Sequence, residues 1–242
     1  MSPMKWPCLL PLRRDSISGS RLEPGSGLSV DRLTLALILL WIFWSTGCEI
    51  MPLPGEKVVF AGDSLTARWG KYWPRVFPET FRDYVDAGVE GNTSEALLQR
   101  FSSTVLSAQP DVVHILIGTN DSFSAVNYGT PRLEVTEGNI AQMSILAQAQ
   151  GVKVVLGTVP PFAREEPAST ALNNHVRSLN RWIRGFAASH GFGLVDYYIL
   201  LERDGYLRPE MCIDRRVHLT ALAYETISPQ TLAVLNSYLR PR

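Results

Sequence analysis

Four short blocks of residues carry groups capable of nucleophilic catalysis, and they stand in a fixed order along the 242-residue chain. Gly62-Asp63-Ser64-Leu65 supplies a hydroxyl. Gly91-Asn92-Thr93 and Gly118-Thr119-Asn120-Asp121 supply glycine backbone amides and a side-chain amide, and Asp214 and His218 supply a carboxylate and an imidazole four residues apart. A serine hydroxyl is a poor nucleophile until a neighbouring base takes its proton. A carbonyl under attack then becomes an oxyanion, which needs hydrogen-bond donors already in place within a dry cleft. Plain alternatives stand beside each residue. Ser64 can cap a helix, and Asn120 can brace its own loop. His114 stands within an apolar strand, and His175 and His190 on or at the end of a helix, as packed or solvated imidazoles do. Asp63 and Asp121 read as hydrogen-bonding loop residues rather than acid catalysts.

The elements that must position these blocks alternate. Val58-Val-Phe-Ala61 is an apolar run that ends at the first block, and Asp83 to Thr93 reads as a strand followed by a glycine-containing turn. A helical stripe of Leu97, Leu98, Phe101, Val105 and Leu106 lies within 94–109. Val112 to Ile117 is nearly continuous and β-branched, as a strand covered on both faces should be. Thr136 can cap a helix ending before Gly151, and Val152–Leu156 is the next strand. Val176, Leu179, Trp182, Ile183 and Phe186 mark a further helix, with Arg177, Arg181 and Arg184 on its wet side. A fifth strand at 192–195 and a helix from about Ala221 to Leu239 close the chain. This alternation predicts a parallel sheet with helices on both faces, whose functional loops leave the carboxyl ends of the strands.

The four ordered blocks resemble those of the SGNH (GDSL-type) hydrolases, named for Ser, Gly, Asn and His. The resemblance extends from about Lys57 to Leu239 and includes Pro110–Asp121, the Pro160-Pro161 pair and His218–Tyr224 entering the last helix. It implies a three-layer α/β/α sandwich with a mainly parallel five-stranded, flavodoxin-like sheet. It also implies a serine ester hydrolase without metal or nucleotide cofactor, acting on lipid or small acyl esters. Ser64 would be the nucleophile, His218 the general base and Asp214 the triad acid. The oxyanion hole would fall on Ser64, Gly91 and Asn120. Gly88 is a rival for the glycine position, but Gly91-Asn-Thr fits the family's Gly-x-Thr pattern better, and a missing side chain lets a substrate oxygen approach the amide. The same site serves carbohydrate or peptidoglycan O-deacetylases, and a catalytically silent binding protein is the reading from another class. An α/β-hydrolase is disfavoured by the absence of Gly-x-Ser-x-Gly.

One block departs from the family, which places its aspartate three residues before the histidine. That position holds Arg215 here, and Asp214 lies four residues before His218. Residues i and i+4 can still face each other, so the spacing leaves Asp214 within reach of the imidazole, with Asp196 and Asp204 as fallbacks. Arg215-Arg216 reads as a solvated pair, or as an attractor of anionic substrates.

Composition narrows the partners. Lys and Arg total 23 and Asp and Glu total 23, so the chain is neutral and nothing in its charge points to nucleic acid. The three cysteines, Cys8, Cys48 and Cys212, cannot build a disulfide framework, and CxxC and HExxH are absent. Cys212 reads as a small buried hydrophobe. Residues 1–32 are Ser-, Gly-, Pro- and Arg-rich without periodicity, which predicts a disordered extension. A charge-free run of 12 residues, 33–44, follows, short for a membrane span of ~20. It leads into Ser45-Thr46-Gly47-Cys48, which resembles a bacterial lipoprotein signal, with Ser45 where an aliphatic residue is usual. The chain ahead of the run is long for a signal, which a start at Val30 would explain. Expected, then, are lipidation at Cys48, with an uncleaved apolar anchor or an ordinary signal peptide as the alternatives, a cell-envelope location, outer-membrane by the resemblance of Glu49, and a hydrolase domain over 55–242.

Overall fold

The computed structural model describes residues 56–72 and 83–239. The extension 1–32, the signal-like segment 33–48 and Cys48 lie outside the described residues.

Five parallel strands form the sheet in the order β2-β1-β3-β4-β5: β1 (Lys57–Gly62), β2 (Asp83–Gly88), β3 (Val112–Leu116), β4 (Lys153–Gly157) and β5 (Gly193–Val195). This is the flavodoxin-like order, whose connections reverse direction between β1 and β3. Alternate strand residues face opposite ways, and that splits the core in two. Val59, Ala61, Val113, Ile115, Val154 and Leu156 pack on one side. That side is covered by α2 (Ser94–Arg100), α4 (Leu133–Ala149) and α5 (Ser169–His190). Val58, Phe60, Val112, Leu116 and Val155 pack on the other, beneath α1 (Ser64–Trp69), α6 (Tyr197–Leu201) and α7 (Ala221–Tyr238). The expected three layers and parallel sheet are what the chain forms. A short helix α3 (Thr119–Tyr128) follows β3, and a small hairpin, β6 (Glu202–Arg203) with β7 (Tyr206–Leu207), follows α6.

Two local expectations differ from the structure. Helix α4 starts after Arg132, one turn before Thr136. Thr136 is buried inside the helix, its hydroxyl donating to Asp121 Oδ1 at 3.3 Å. The stripe over 94–109 is also not one regular helix: α2 ends at Arg100, a wide π turn spans Phe101–Val105, and a 3₁₀ turn spans Leu106–Ala108. Leu97, Phe101, Val105 and Leu106 are buried all the same. No helix among the described residues is long and apolar enough to cross a membrane.

Candidate active site

The switch between β1 and β3 leaves a crevice at the carboxyl ends of the strands, and the four blocks converge there. Ser64 is the first residue of α1. Asp63 caps that helix, its Oδ1 accepting the Leu65 N–H at 2.9 Å. Gly62 is required by space: a Cβ there would stand 2.2 Å from Thr66 Oγ1 and 2.4 Å from the Leu116 carbonyl oxygen. The turn therefore folds tightly and presents Ser64 at the wall of a pocket of about 200 Å³. Asn120, His218 and Asp214 line the same pocket. Phe123, Phe162 and Val217 form its apolar side.

The acid loop solves the spacing problem through its backbone. Arg215 takes a left-handed conformation, φ 59°, which absorbs the additional residue. Asp214 Oδ1 then accepts three successive backbone N–H groups, from Arg216 at 2.8 Å, Val217 at 3.0 Å and His218 at 3.2 Å. The Ile213 N–H donates to the His218 carbonyl at 2.9 Å and closes the turn. Asp214 Oδ2 is thereby turned onto the His218 ring, whose Nδ1 donates to it. This bond fixes the tautomer: Nε2 is left as the acceptor, 3.1 Å from Ser64 Oγ. Partial burial works against ionisation of Asp214. The bonds from His218 and from the three backbone amides outweigh it and hold the carboxyl well below the usual carboxylate range.

Among the glycines, Gly88 has its N–H committed to Asp86 Oδ1 at 2.8 Å. Gly91 has φ 76° on an exposed turn, a conformation that suits glycine, and its N–H makes no hydrogen bond among the described residues. Gly91 is not itself among the pocket walls. It is linked to them through its neighbour Asn92, whose carbonyl accepts from Asn120 Nδ2 at 2.9 Å. The second amide hydrogen of Asn120 makes no hydrogen bond among the described residues.

The remaining candidates are tied elsewhere. Asp196 forms an ion pair with Arg184 at 2.7 Å and accepts from Thr158, and Asp204 occupies the hairpin turn with φ 54°. His114 is fully buried, its Nε2 2.9 Å from Tyr197 Oη. His175 Nδ1 meets Ser122 Oγ at 3.1 Å, and His190 stacks on Phe192. Asp121 accepts from the Ser94 N–H and hydroxyl, tying the third block to the start of α2. Cys212 is not the expected buried hydrophobe. It is only partly buried, packed against the core beneath α7, with Sγ 3.5 Å from Asp214 Oδ1. Among the described residues, no His/Cys/Asp/Glu group is arranged to hold a metal ion.

Glu166 is a pocket residue that no motif announces. Its side chain is only 2% exposed and pairs with the Arg216 guanidinium through both oxygens. Arg216 also lies over the Phe123 ring, 5.4 Å from its centre. Arg216 is thus paired to the pocket wall while its side chain stays half-exposed.

Asp63 carries a second electrostatic signature. Its complete burial, aided by the nearby Asp121 charge and opposed by the Leu65 N–H, pushes its pKa up to about 7 from the ordinary 3.8. The native state therefore holds the Asp63 proton more tightly than the unfolded chain does. The associated stability is fully present below pH ~4 and is lost as pH rises through about 7. Asp63→Asn keeps an acceptor for Leu65 and has no charge to bury. Its melting temperature should exceed that of the parent by several degrees at pH 8 and by little at pH 4, in parallel thermal melts. An equal shift at both values would contradict a buried, titrating Asp63.

Comparison with known proteins places this geometry. Residues 60–226 match the family model of the GDSL-like lipase/acylhydrolase family. The lipoprotein YqeF of Bacillus subtilis is 29% identical over 140 residues, 52% of this chain and 56% of that protein. An arylesterase of Vibrio mimicus is 29% identical over 118 residues, 44% of this chain and 56% of that protein. The chain thus spans just over half the length of these two relatives. The crystal structure of a GDSL-like lipase from Bacteroides thetaiotaomicron superposes with a TM-score of 0.66 at 28% identity, covering 82% of this chain and 98% of the other. With the family model matched across all four blocks, the chain belongs to the GDSL-like lipase/acylhydrolase family.

Proposed function

We propose that the protein hydrolyses esters of small acyl groups through a Ser64–His218–Asp214 triad. The observation that carries this reading is the unbroken line of hydrogen bonds from Asp214 through His218 to Ser64 at the wall of one pocket. Ser64 Oγ attacks the ester carbonyl while His218 Nε2 takes its proton. The Ser64 N–H, the Gly91 N–H and the spare Asn120 amide hydrogen receive the oxyanion. Collapse of the tetrahedral intermediate expels the alcohol, protonated by His218, and leaves an acyl-Ser64. Water, deprotonated by His218, then releases the carboxylic acid and restores the serine. Asp214 stays ionised throughout and stabilises the imidazolium.

The pocket supports small acyl groups over long ones. Its volume of about 200 Å³ falls below the ~300–1,000 Å³ typical of sites that bury drug-sized ligands. Phe123, Phe162 and the Arg216–Glu166 pair bound it. On a p-nitrophenyl ester panel from acetyl to palmitoyl, kcat/KM should be highest at acetyl to butyryl and fall steeply beyond. A maximum at palmitoyl would refute the size argument, and no turnover on any ester would refute the hydrolase reading.

We further propose that Cys48 anchors the protein in the cell envelope as a lipidated N-terminus. Support comes from the apolar run before Ser45-Thr-Gly-Cys48, and from the name of the Bacillus subtilis relative as a lipoprotein. The mature protein in expressing cells should begin at Cys48 with a diacylglyceryl mass addition that Cys48→Ser removes. An N-terminus elsewhere in the mass spectrum would overturn this assignment.

A further inference from the structure

Arg100 lies outside the pocket, yet its guanidinium reaches the segments that carry two of the three proposed oxyanion donors, and the third through Asn92. Nη2 donates to the Gly62 carbonyl at 3.2 Å and to the Ala87 carbonyl at 2.9 Å. Gly62 ends β1, two residues before Ser64, and Ala87 lies at the end of β2, leading into the Gly91 turn. Nε donates to Asn92 Oδ1 at 2.7 Å. The same Asn92 offers its backbone carbonyl to Asn120 Nδ2 at 2.9 Å. A chain of contacts thus runs from Arg100 through Asn92 to the Asn120 amide, while the other arm of the guanidinium clips the ends of β1 and β2 together.

We propose that Arg100 is a positioning residue of the oxyanion site, holding the Ser64, Gly91 and Asn120 donors in mutual register through Gly62, Ala87 and Asn92. The proposal rests on the hydrolase reading above and extends it to a residue that no motif marks.

The chemistry of the contacts favours positioning over simple stabilisation. Arg100 is half-buried and has no ion-pair partner among the described residues. Apart from a long contact to Thr104 at 3.4 Å, its donors go to two carbonyls and one amide oxygen. Asp86 attracts the Arg100 charge without bonding it, and burial outweighs that attraction and pulls the Arg100 pKa down, so the interaction is a poor device for stability alone. What the planar fork provides is fixed angles between several acceptors, which the single point charge of lysine does not reproduce. The chain also changes helical pitch immediately after Arg100, with the wide turn at Phe101–Val105, and such turns recur at functional sites. Oxyanion stabilisation depends on donors aimed at the transition-state oxygen rather than at the ground-state carbonyl. Loosening their register should therefore lower kcat and leave KM nearly unchanged.

The test is a double-mutant cycle on p-nitrophenyl acetate, reading kcat, KM and melting temperature for Arg100→Lys, Asn92→Ala and Asn120→Ala, singly and with each of the first two combined with the third. Asn120→Ala should lower kcat by about 10²–10³-fold, as loss of one oxyanion donor does. Arg100→Lys and Asn92→Ala should each lower kcat by about 10-fold or more with KM within about twofold. In the Asn120→Ala background the cost of Asn92→Ala should shrink to less than about threefold, because the donor it aims is already gone, while that of Arg100→Lys should shrink in part only, since Arg100 also holds the Ser64 and Gly91 segments. Unchanged kcat in both single variants overturns the proposal. So does a loss that is undiminished in the Asn120→Ala background, or one confined to KM. Should Arg100→Lys fail to fold, the Asn92→Ala cycle decides, since it leaves the two strand-end bonds of Arg100 in place. Full kcat in Asn120→Ala itself overturns the donor assignment beneath the proposal, and is distinguishable from failure of the Arg100 step alone.

Discussion

Ser64→Ala should abolish ester turnover, with kcat falling by roughly four to six orders of magnitude, the range seen when a serine nucleophile is removed from an intact triad. The effect is large because no other described hydroxyl occupies its place: Ser64 Oγ alone faces His218 Nε2, at 3.1 Å. The fold should survive the change. The helix cap at this turn belongs to Asp63 and not to Ser64, and the steric need for glycine falls on Gly62. Alanine removes one partly solvated hydrogen bond, so the melting temperature should stay within a few degrees of the parent. Rate measurements with active-site titration and a thermal melt check both halves. Substantial kcat in a folded Ser64→Ala variant would remove the serine from the reaction.

The second large effect concerns the acid. Asp214→Asn should lower kcat by about 10⁴-fold, as the corresponding change does in serine proteases. The structure supplies the reason. Asparagine at 214 can keep its oxygen on the N–H groups of Arg216, Val217 and His218, where Asp214 Oδ1 now sits, so the turn persists. Its amide nitrogen then faces His218 Nδ1 and donates to it. The ring must carry its proton on Nε2, where it can no longer accept one from Ser64. KM should change little. Asp214→Ala, which removes the Oδ1 bonds as well, should in addition lower the melting temperature. Full activity in Asp214→Asn would leave a Ser–His dyad, with the aspartate serving only the turn.

The central strands β1, β3 and β4 were legible because each is a run of apolar, largely β-branched residues that ends at a block of small and polar ones. Burial on both faces demands the first feature and the crevice demands the second. The Ser64 and His218 blocks were legible for the same reason, each at an element boundary. The reach of Asp214 to His218 was not, because it depends on the left-handed backbone of Arg215, a conformation seldom taken by a residue with a Cβ. The pairing of Arg216 was not legible because its partner Glu166 is 50 residues away on the segment after β4, and side-chain pairing at that distance leaves no local pattern. Arg100 was hidden likewise. Its stripe continues into Phe101 and Val105, so periodicity extends a helix past the point where the backbone widens. The start of α4 was placed too late because Arg132, the residue before it, has no side-chain cap to announce it, while Thr136 offers a hydroxyl that is spent on Asp121.

The central claim is that Ser64 is the nucleophile activated by His218, and covalent capture tests it most directly. The full-length protein treated with a fluorophosphonate, digested and sequenced by mass spectrometry, should carry a single phosphonyl adduct on Ser64, with labelling strongly slowed in His218→Ala. An adduct on another residue with Ser64 unmodified, or no adduct in a preparation that turns over esters, would contradict the account.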